Sequence, residues 1–369
     1  MSAGTGPVGI GIIGAGVIAS QYLTQFAAMP DLDVRAIGDL RPEAAEARAA
    51  EFGVPAHGGV DTVLEDPDIE IVVNLTIPAA HHAVSRQILD AGKHVWTEKP
   101  LVTTREEAED LLAHAESLGL RIGGAPDTVL GAGVQTALRA LAAEEIGEPR
   151  SALVQMRSCG PESWHPNPDF LFQRGAGPLF DMGPYYLTTL VLAFGPVASV
   201  SAVGSQTSPT RTIGSGPRAG ETFDVEVPTR VQGLLRFASG TVGAVEFSFD
   251  DAMDRPHVLE LAGSSGTLDL PDPNQFGGMV GIAARRDEDW TERESSGAVA
   301  GRGLGTLEMA RALRAGRPHR LTGALAAHVL DIMIGLEDAT RSGETVHLTS
   351  SVEAPAPLPL DFDPEAATL

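Results

Sequence analysis

The chain has 369 residues, 43% of them hydrophobic, and a formal net charge of −23. So strong an acidic excess repels phosphate backbones and anionic lipid, and the arginines form no basic run, so neither nucleic acid nor a membrane surface is expected as a partner. The single cysteine, Cys159, can form no internal disulfide, and no CxxC or Cys/His spacing suits a metal, which points to a reducing, cytoplasmic setting without a bound metal. Residues Met1 to Pro7 lack the basic start of a secretory leader, and the apolar run after them is short and broken by glycine.

Single cores seldom grow past roughly 250 residues, so two domains are expected, divided as 1–125 and 126–369. In chain order, a buried strand is predicted over Val8 to Ile13, a helix over Val17 to Met29 and a strand over Asp33 to Gly38. An alanine-rich amphipathic helix follows over Arg41 to Phe52. Further strands are predicted over Ile69 to Leu75 and Lys93 to Thr97, with a helix over His81 to Ala91 between them. This alternation gives an α/β fold whose first domain is a doubly wound parallel sheet. At its first strand-to-helix turn stands Gly14-Ala15-Gly16-Val17-Ile18-Ala19. Glycines at those positions let backbone N–H groups approach a pyrophosphate at the helix N-terminus. Asp39, 23 residues after Gly16, ends the second strand, where a carboxylate accepts from the adenosine ribose hydroxyls and disfavours a 2′-phosphate. NAD is therefore the expected cofactor, with NADP kept open by Arg41, which can reach a 2′-phosphate.

Only two lysines occur, Lys93 and Lys99, both inside Gly92-Lys-His-Val-Trp-Thr-Glu-Lys-Pro100; all other basic side chains are arginine. An ammonium can change its protonation state and hold one oxygen as a compact donor, which a guanidinium cannot do. Lys99, after an apolar strand and before a proline, is assigned to chemistry. Lys93 is assigned to a solvated structural position.

Beyond the next strand, Arg121 to Gly123, Asp127 is expected at the carboxyl end of the sheet on the substrate side. Trp164 and His165 stand in a proline-stiffened loop suited to stacking on and hydrogen-bonding a sugar ring. A helix is predicted over Leu179 to Phe194, placing Asp181 and Tyr185 at i and i+4 on one face, while Tyr186 is assigned to the core. The strands predicted at Val197 to Val203, Arg230 to Phe237, Thr241 to Phe249, Val258 to Ala262 and Thr267 to Leu270 follow one another without helices. They imply an α+β domain with an open, mostly antiparallel sheet. Residues 205–221 read as a long loop, Leu304 to Ala315 and Leu321 to Ser342 as terminal helices, and the tail after Ser350 as irregular. Val242, Val245 and Phe247 are expected to be partly exposed on the sheet, and a homodimer or homotetramer is expected to cover them.

Taken with the glycine turn, the segments Thr76-Ile-Pro-Ala-Ala-His81 and Ala91-Gly-Lys-His-Val-Trp-Thr-Glu-Lys-Pro100 resemble the Gfo/Idh/MocA family of nicotinamide-dependent oxidoreductases. One departure is that the family usually reads Thr-Pro-Asn where this chain has Thr76-Ile77-Pro78. The resemblance implies that Gly14, Gly16, Val17, Ile18, Asp39, Arg41, Thr76, His81 and Glu98 hold the cofactor and that Lys99 meets the substrate hydroxyl. It also implies that Tyr185 stands where the family more often has a histidine base, as in its glucose-fructose oxidoreductase and dihydrodiol dehydrogenase branches. An ammonium beside a phenol favours the phenolate, so Lys99 and Tyr185 form the expected acid/base pair, with Asp181 orienting substrate or lysine. The expected reaction is hydride transfer between nicotinamide and a secondary alcohol of a sugar, cyclitol or glycoside. An NAD-dependent glycoside-cleaving enzyme and a non-catalytic NAD-binding sensor are the alternatives.

Overall fold

The computed structural model describes residues 4–283 and 289–369; the first three residues of the segment read as lacking a leader lie outside the described residues. The chain forms two compact units, one of residues 1–135, 296–330 and 355–369, the other of residues 136–295 and 331–354. The expected boundary lies at 125/126; the first crossing falls between Gln135 and Thr136. Ser296–Leu330 and Pro355–Leu369 rejoin the first unit.

Six strands build the sheet of the first unit: β1 (Val8–Ile13), β2 (Leu32–Gly38), β3 (Ala56–Gly58), β4 (Ile71–Asn74), β5 (His94–Thr97) and β6 (Ile122–Gly124). They pair in the order β3-β2-β1-β4-β5-β6, all parallel. The crossovers are helical: α1 (Val17–Phe26), α2 (Pro42–Phe52), α3 (Val60–Leu64), α4 (His81–Asp90) and α5 (Arg105–Leu118). All six residues of β1 are buried, as a parallel strand covered on both faces requires. Strand order reverses between β1 and β4, which opens a crevice outside their carboxyl ends. The sequence reading passed over α5, although its start carries a capping signature. Thr104 Oγ1 accepts from the Glu107 N–H at 3.2 Å, and the Glu107 carboxylate accepts from the Thr103 N–H at 3.0 Å. Lys93 corrects its assignment as solvated: it is 5% exposed, and its ammonium donates to the Asp66 and Ile69 carbonyls at 2.6 and 2.9 Å. Burial with two carbonyl acceptors makes it a fastener for the turn before β4.

The division between the units falls inside α6 (Ala132–Ala142). The second unit holds β7 (Pro149–Arg157), α7 (Gly177–Phe194), β8 (Val197–Ser205), β9 (Thr210–Thr212), β10 (Thr222–Asp224), β11 (Arg230–Phe237) and β12 (Val242–Ser248). Next come β13 (Val258–Gly263), β14 (Thr267–Asp269), β15 (Met279–Ala283) and β16 (Thr291–Glu294). The chain then returns to the first unit with α8 (Leu304–Arg314) and crosses again within α9 (Gly323–Ser342), and β17 (Val346–His347) closes the large sheet. That sheet runs β16-β15-β14-β13-β7-β12-β11-β8-β17, antiparallel except between β7 and β12. One face packs under α7 against β7, β11 and β12.

Two expectations need correction here. Val245 and Phe247 are 3% and 0% exposed, on the covered face, because side chains alternate along β12. The open face carries Leu153, Val203, Leu234 and Val242, between 38% and 68% exposed. Residues 205–221 are not a plain loop either: β9 and β10 form an antiparallel ribbon, braced by Arg218, which binds both Asp169 oxygens at 2.8 and 3.0 Å.

Candidate active site

In the first unit the expected cofactor residues lie at or just past the carboxyl ends of β1, β2 and β4, except Glu98, which follows β5. Gly14 has φ +108°, and a Cβ there would lie 2.6 Å from the Leu75 carbonyl oxygen, so only glycine allows the turn to pass so close to β4. At Gly16, the N-cap of α1, a Cβ would meet nothing within 4 Å, and no side chain caps the helix. The Ala19 N–H turns back to the Gly16 carbonyl at 3.2 Å, and a helix start of this kind, without a side-chain cap, suits an anion. Asp39 is fixed by two backbone donors, the Ala15 N–H to Oδ2 at 2.8 Å and the Arg41 N–H to Oδ1 at 2.9 Å. Arg48, which the sequence reading missed, donates from α2 to the Gly16 carbonyl at 3.3 Å. Three apolar side chains stand out in water along this edge: Val17 (84% exposed), Leu40 (92%) and Ile77 (70%), one after each of β1, β2 and β4. A flat, partly apolar dinucleotide laid across the edge would cover them, so the residues present fit NAD.

Asn74 organises the end of β4. Fully buried, it donates from Nδ2 to Ser85 Oγ and the His81 carbonyl, and accepts at Oδ1 from the Thr76 hydroxyl (2.6 Å) and N–H (3.2 Å). The His81 ring is also fully buried. Its Nδ1 lies 2.7 Å from the Pro100 carbonyl and its Nε2 3.0 Å from the Thr76 carbonyl, and burial lowers its pKa. A neutral ring carries one N–H, so His81 donates to one of the two carbonyls; placed on Nδ1, that proton holds the Pro100 carbonyl beside Lys99.

Glu98, just past β5, is 8% exposed and both its oxygens have protein partners. Oε1 accepts from the Tyr22 hydroxyl at 2.9 Å and lies 4.0 Å from the Arg302 guanidinium, and Oε2 accepts from the Lys99 N–H at 3.0 Å. Asp127, expected on the substrate side, is fully buried instead. Its Oδ2 accepts from the Gly303 and Gly305 N–H groups at 2.6 and 3.3 Å, where α8 begins. Burial pushes its carboxyl up to about 6, partly offset by Arg302.

In the second unit, Asp181 and Tyr185 both lie on α7. Tyr185 is 4% exposed, and its backbone carbonyl accepts from the Thr189 hydroxyl at 2.9 Å. Tyr186 is the core residue expected: it is 1% exposed, edge-on to Phe247, with its hydroxyl 3.5 Å from Asp272. Burial, then the Asp272 charge, raises its pKa. Trp164 (67% exposed) and Phe170 (51%) flank His165 edge to face, each at 5.5 Å between ring centroids. The Asn167 N–H donates to His165 Nδ1 at 3.0 Å. No cluster of metal-ligating side chains occurs among the described residues.

The family described as the oxidoreductase family with an NAD-binding Rossmann fold matches residues 8–124, and the GFO/IDH/MocA C-terminal domain matches residues 134–269. Levoglucosan dehydrogenase of Pseudarthrobacter phenanthrenivorans is 28% identical over 295 residues, 70% of this chain and 72% of that protein. Rabbit (Oryctolagus cuniculus) trans-1,2-dihydrobenzene-1,2-diol dehydrogenase is 26% identical over 269 residues, 71% of this chain and 75% of that one. Among solved structures, levoglucosan dehydrogenase in complex with NADH and L-sorbose shares the fold with a TM-score of 0.80 at 21% identity, covering 93% of this chain and 99% of that one. An NAD-binding oxidoreductase from Klebsiella pneumoniae superposes with a TM-score of 0.81, also at 21% identity, over 94% of this chain and 100% of that one. The chain belongs to the Gfo/Idh/MocA family of NAD-binding oxidoreductases.

Proposed function

We propose that this oxidoreductase removes hydride and proton from a secondary alcohol of a polyhydroxylated small molecule (a sugar, cyclitol or glycoside), leaving a carbonyl. The observation that carries this reading is the setting of Lys99. One of only two lysines, it follows β5, with its N–H held by Glu98 and the carbonyl of the next residue held by His81. Bound NAD supplies the hydride acceptor. Lys99 holds the alcohol oxygen and stabilises its developing negative charge, Tyr185 takes the hydroxyl proton, and Asp181 orients the pair. Trp164 and His165 stack on and bond the ring. Two relatives support the substrate class, since levoglucosan and a dihydrodiol both carry hydroxyl-bearing carbons. Asp39, held by two backbone donors, favours NAD over NADP. We also propose that the open sheet face bearing Leu153, Leu234 and Val242 joins copies of the chain as a dimer or tetramer.

A panel of sugars, inositols and glycosides, followed by nicotinamide absorbance with NAD and NADP separately, tests the reading. Accumulating NADH, faster with NAD than NADP, is expected. Glycoside cleavage without net NADH would replace it by transient oxidation and elimination, and no turnover with any polyol would overturn it.

A further inference from the structure

Resting on the reading of Lys99 as the group that meets the substrate oxygen, we infer that Tyr22 is a positioning residue that holds Lys99 in place through Glu98. Tyrosine is scarce here, three residues against 12 phenylalanines. Tyr22 lies on α1, five residues past Val17 and the dinucleotide turn, and is completely buried. Its ring packs edge to face on Phe26, with centroids 5.8 Å apart, and a phenylalanine would serve that contact equally well. What phenylalanine lacks is the hydroxyl, and a buried hydroxyl costs stability unless it is bonded.

That hydroxyl is bonded on both sides. The indole N–H of Trp96, itself fully buried, points to the Tyr22 oxygen at 3.4 Å, and the Tyr22 hydroxyl donates to Glu98 Oε1 at 2.9 Å. The other Glu98 oxygen receives the Lys99 N–H at 3.0 Å. A chain of donors thus runs from Trp96 through Tyr22 to Glu98, meeting there the backbone of Lys99. Arg302, 4.0 Å from Glu98, supplies the countercharge that keeps a carboxylate in so enclosed a place. The hydroxyl keeps its proton, because burial and the charges of Glu98 and Asp127 drive its pKa up. Tyr22 is accordingly a fixed donor and takes no part in proton transfer. Its deletion would free one end of Glu98, let the carboxylate rotate, and release the Lys99 N–H.

The test is a double-mutant cycle between Tyr22→Phe and Lys99→Ala, with NAD and the best polyol of the panel as probes. Thermal midpoint and NAD affinity are measured alongside. Tyr22→Phe is expected to stay folded, bind NAD within about 2-fold of wild type, and lose roughly 10- to 100-fold in kcat, the scale of a misplaced reacting group. In the Lys99→Ala background it should cause no further loss, because nothing remains to be positioned. Glu98→Ala, which removes the acceptor of both the Tyr22 hydroxyl and the Lys99 N–H, should likewise lower kcat only where Lys99 is present and serves if Tyr22→Phe folds poorly. An equal loss of kcat with and without Lys99, or no loss at all, overturns the inference. If Lys99→Ala alone keeps near-normal kcat, the reading of the lysine fails instead.

Discussion

A lysine that must present its ammonium at one point gains more from a clamped backbone than from a long side chain. The residues around Lys99 supply that clamp: Glu98 holds its N–H, and His81 holds the carbonyl after it. Lys99→Ala should therefore leave NAD binding nearly intact while kcat falls by roughly 10²-fold or more, the scale of losing a positioned donor. Arginine should not restore the rate, because its planar fork cannot occupy the same point. Steady-state kinetics with NAD binding measured by fluorescence decides this, and a Lys99→Arg enzyme near wild-type kcat would contradict it. Much of this region was legible in the sequence, since the glycine turn, Asp39 and Glu-Lys-Pro are local signals. Tyr22 and Arg302 were not. Their contacts with Glu98 join positions 76 and 204 residues apart, and no local pattern marks a partner at that distance. The burial of Asp127 was hidden for the same reason, as its donors lie 176 and 178 residues on.

At the scale of elements, α8 is held against the end of β6 by the Asp127 carboxylate at its N-terminus and by close contact. A Cβ at Gly305 would lie 2.0 Å from the Trp96 ring and 2.9 Å from Asp127 Cβ. Because Trp96 is fully buried and cannot move aside, Gly305→Ala should cost on the order of 3 kcal/mol by overpacking, read as a lower midpoint in denaturant. Unchanged stability would mean that α8 shifts freely. Strands with strong periodicity were read correctly: β1 and β11 have the bounds expected. β7 was missed even though it lies in the middle of the large sheet. It opens on Pro149, a strand-disfavouring residue, and the polar Arg150 and Ser151, which hide the alternation, and its place depends on pairing with β12 and β13, far along the chain. The β9–β10 ribbon escaped notice because each strand has only three residues.

At the scale of the whole molecule, the open sheet face leaves Leu153, Val203, Leu234 and Val242 in water, with the Gln155, Gln232 and Glu246 side chains hydrogen-bonded among them. A contiguous apolar patch on a sheet is usually covered by another chain, so light scattering at micromolar concentration should find a dimer or tetramer. A monomer would contradict the assignment of this face. Stability should also respond to acid. Burial pushes His94 and His319 down to about 4, against about 6.5 in the unfolded chain. Between those values the unfolded chain binds more protons, so the stability they contribute is present above pH 6.5 and lost as pH falls toward 4. Asp127, raised to about 6, acts in the opposite direction, its contribution being complete below its unfolded value and lost as pH rises through 6. Two histidines outweigh one carboxyl, so the thermal midpoint should fall from pH 7 to pH 5; a rise would contradict the balance. Tyr185 is proposed to take the proton of the substrate hydroxyl. Tyr185→Phe tests it most directly, because it keeps the ring and removes only the hydroxyl. In Tyr185→Phe, kcat for alcohol oxidation should drop by roughly 10²-fold or more with folding and NAD affinity little changed. Full activity in Tyr185→Phe, with the same pH profile as wild type, would contradict it.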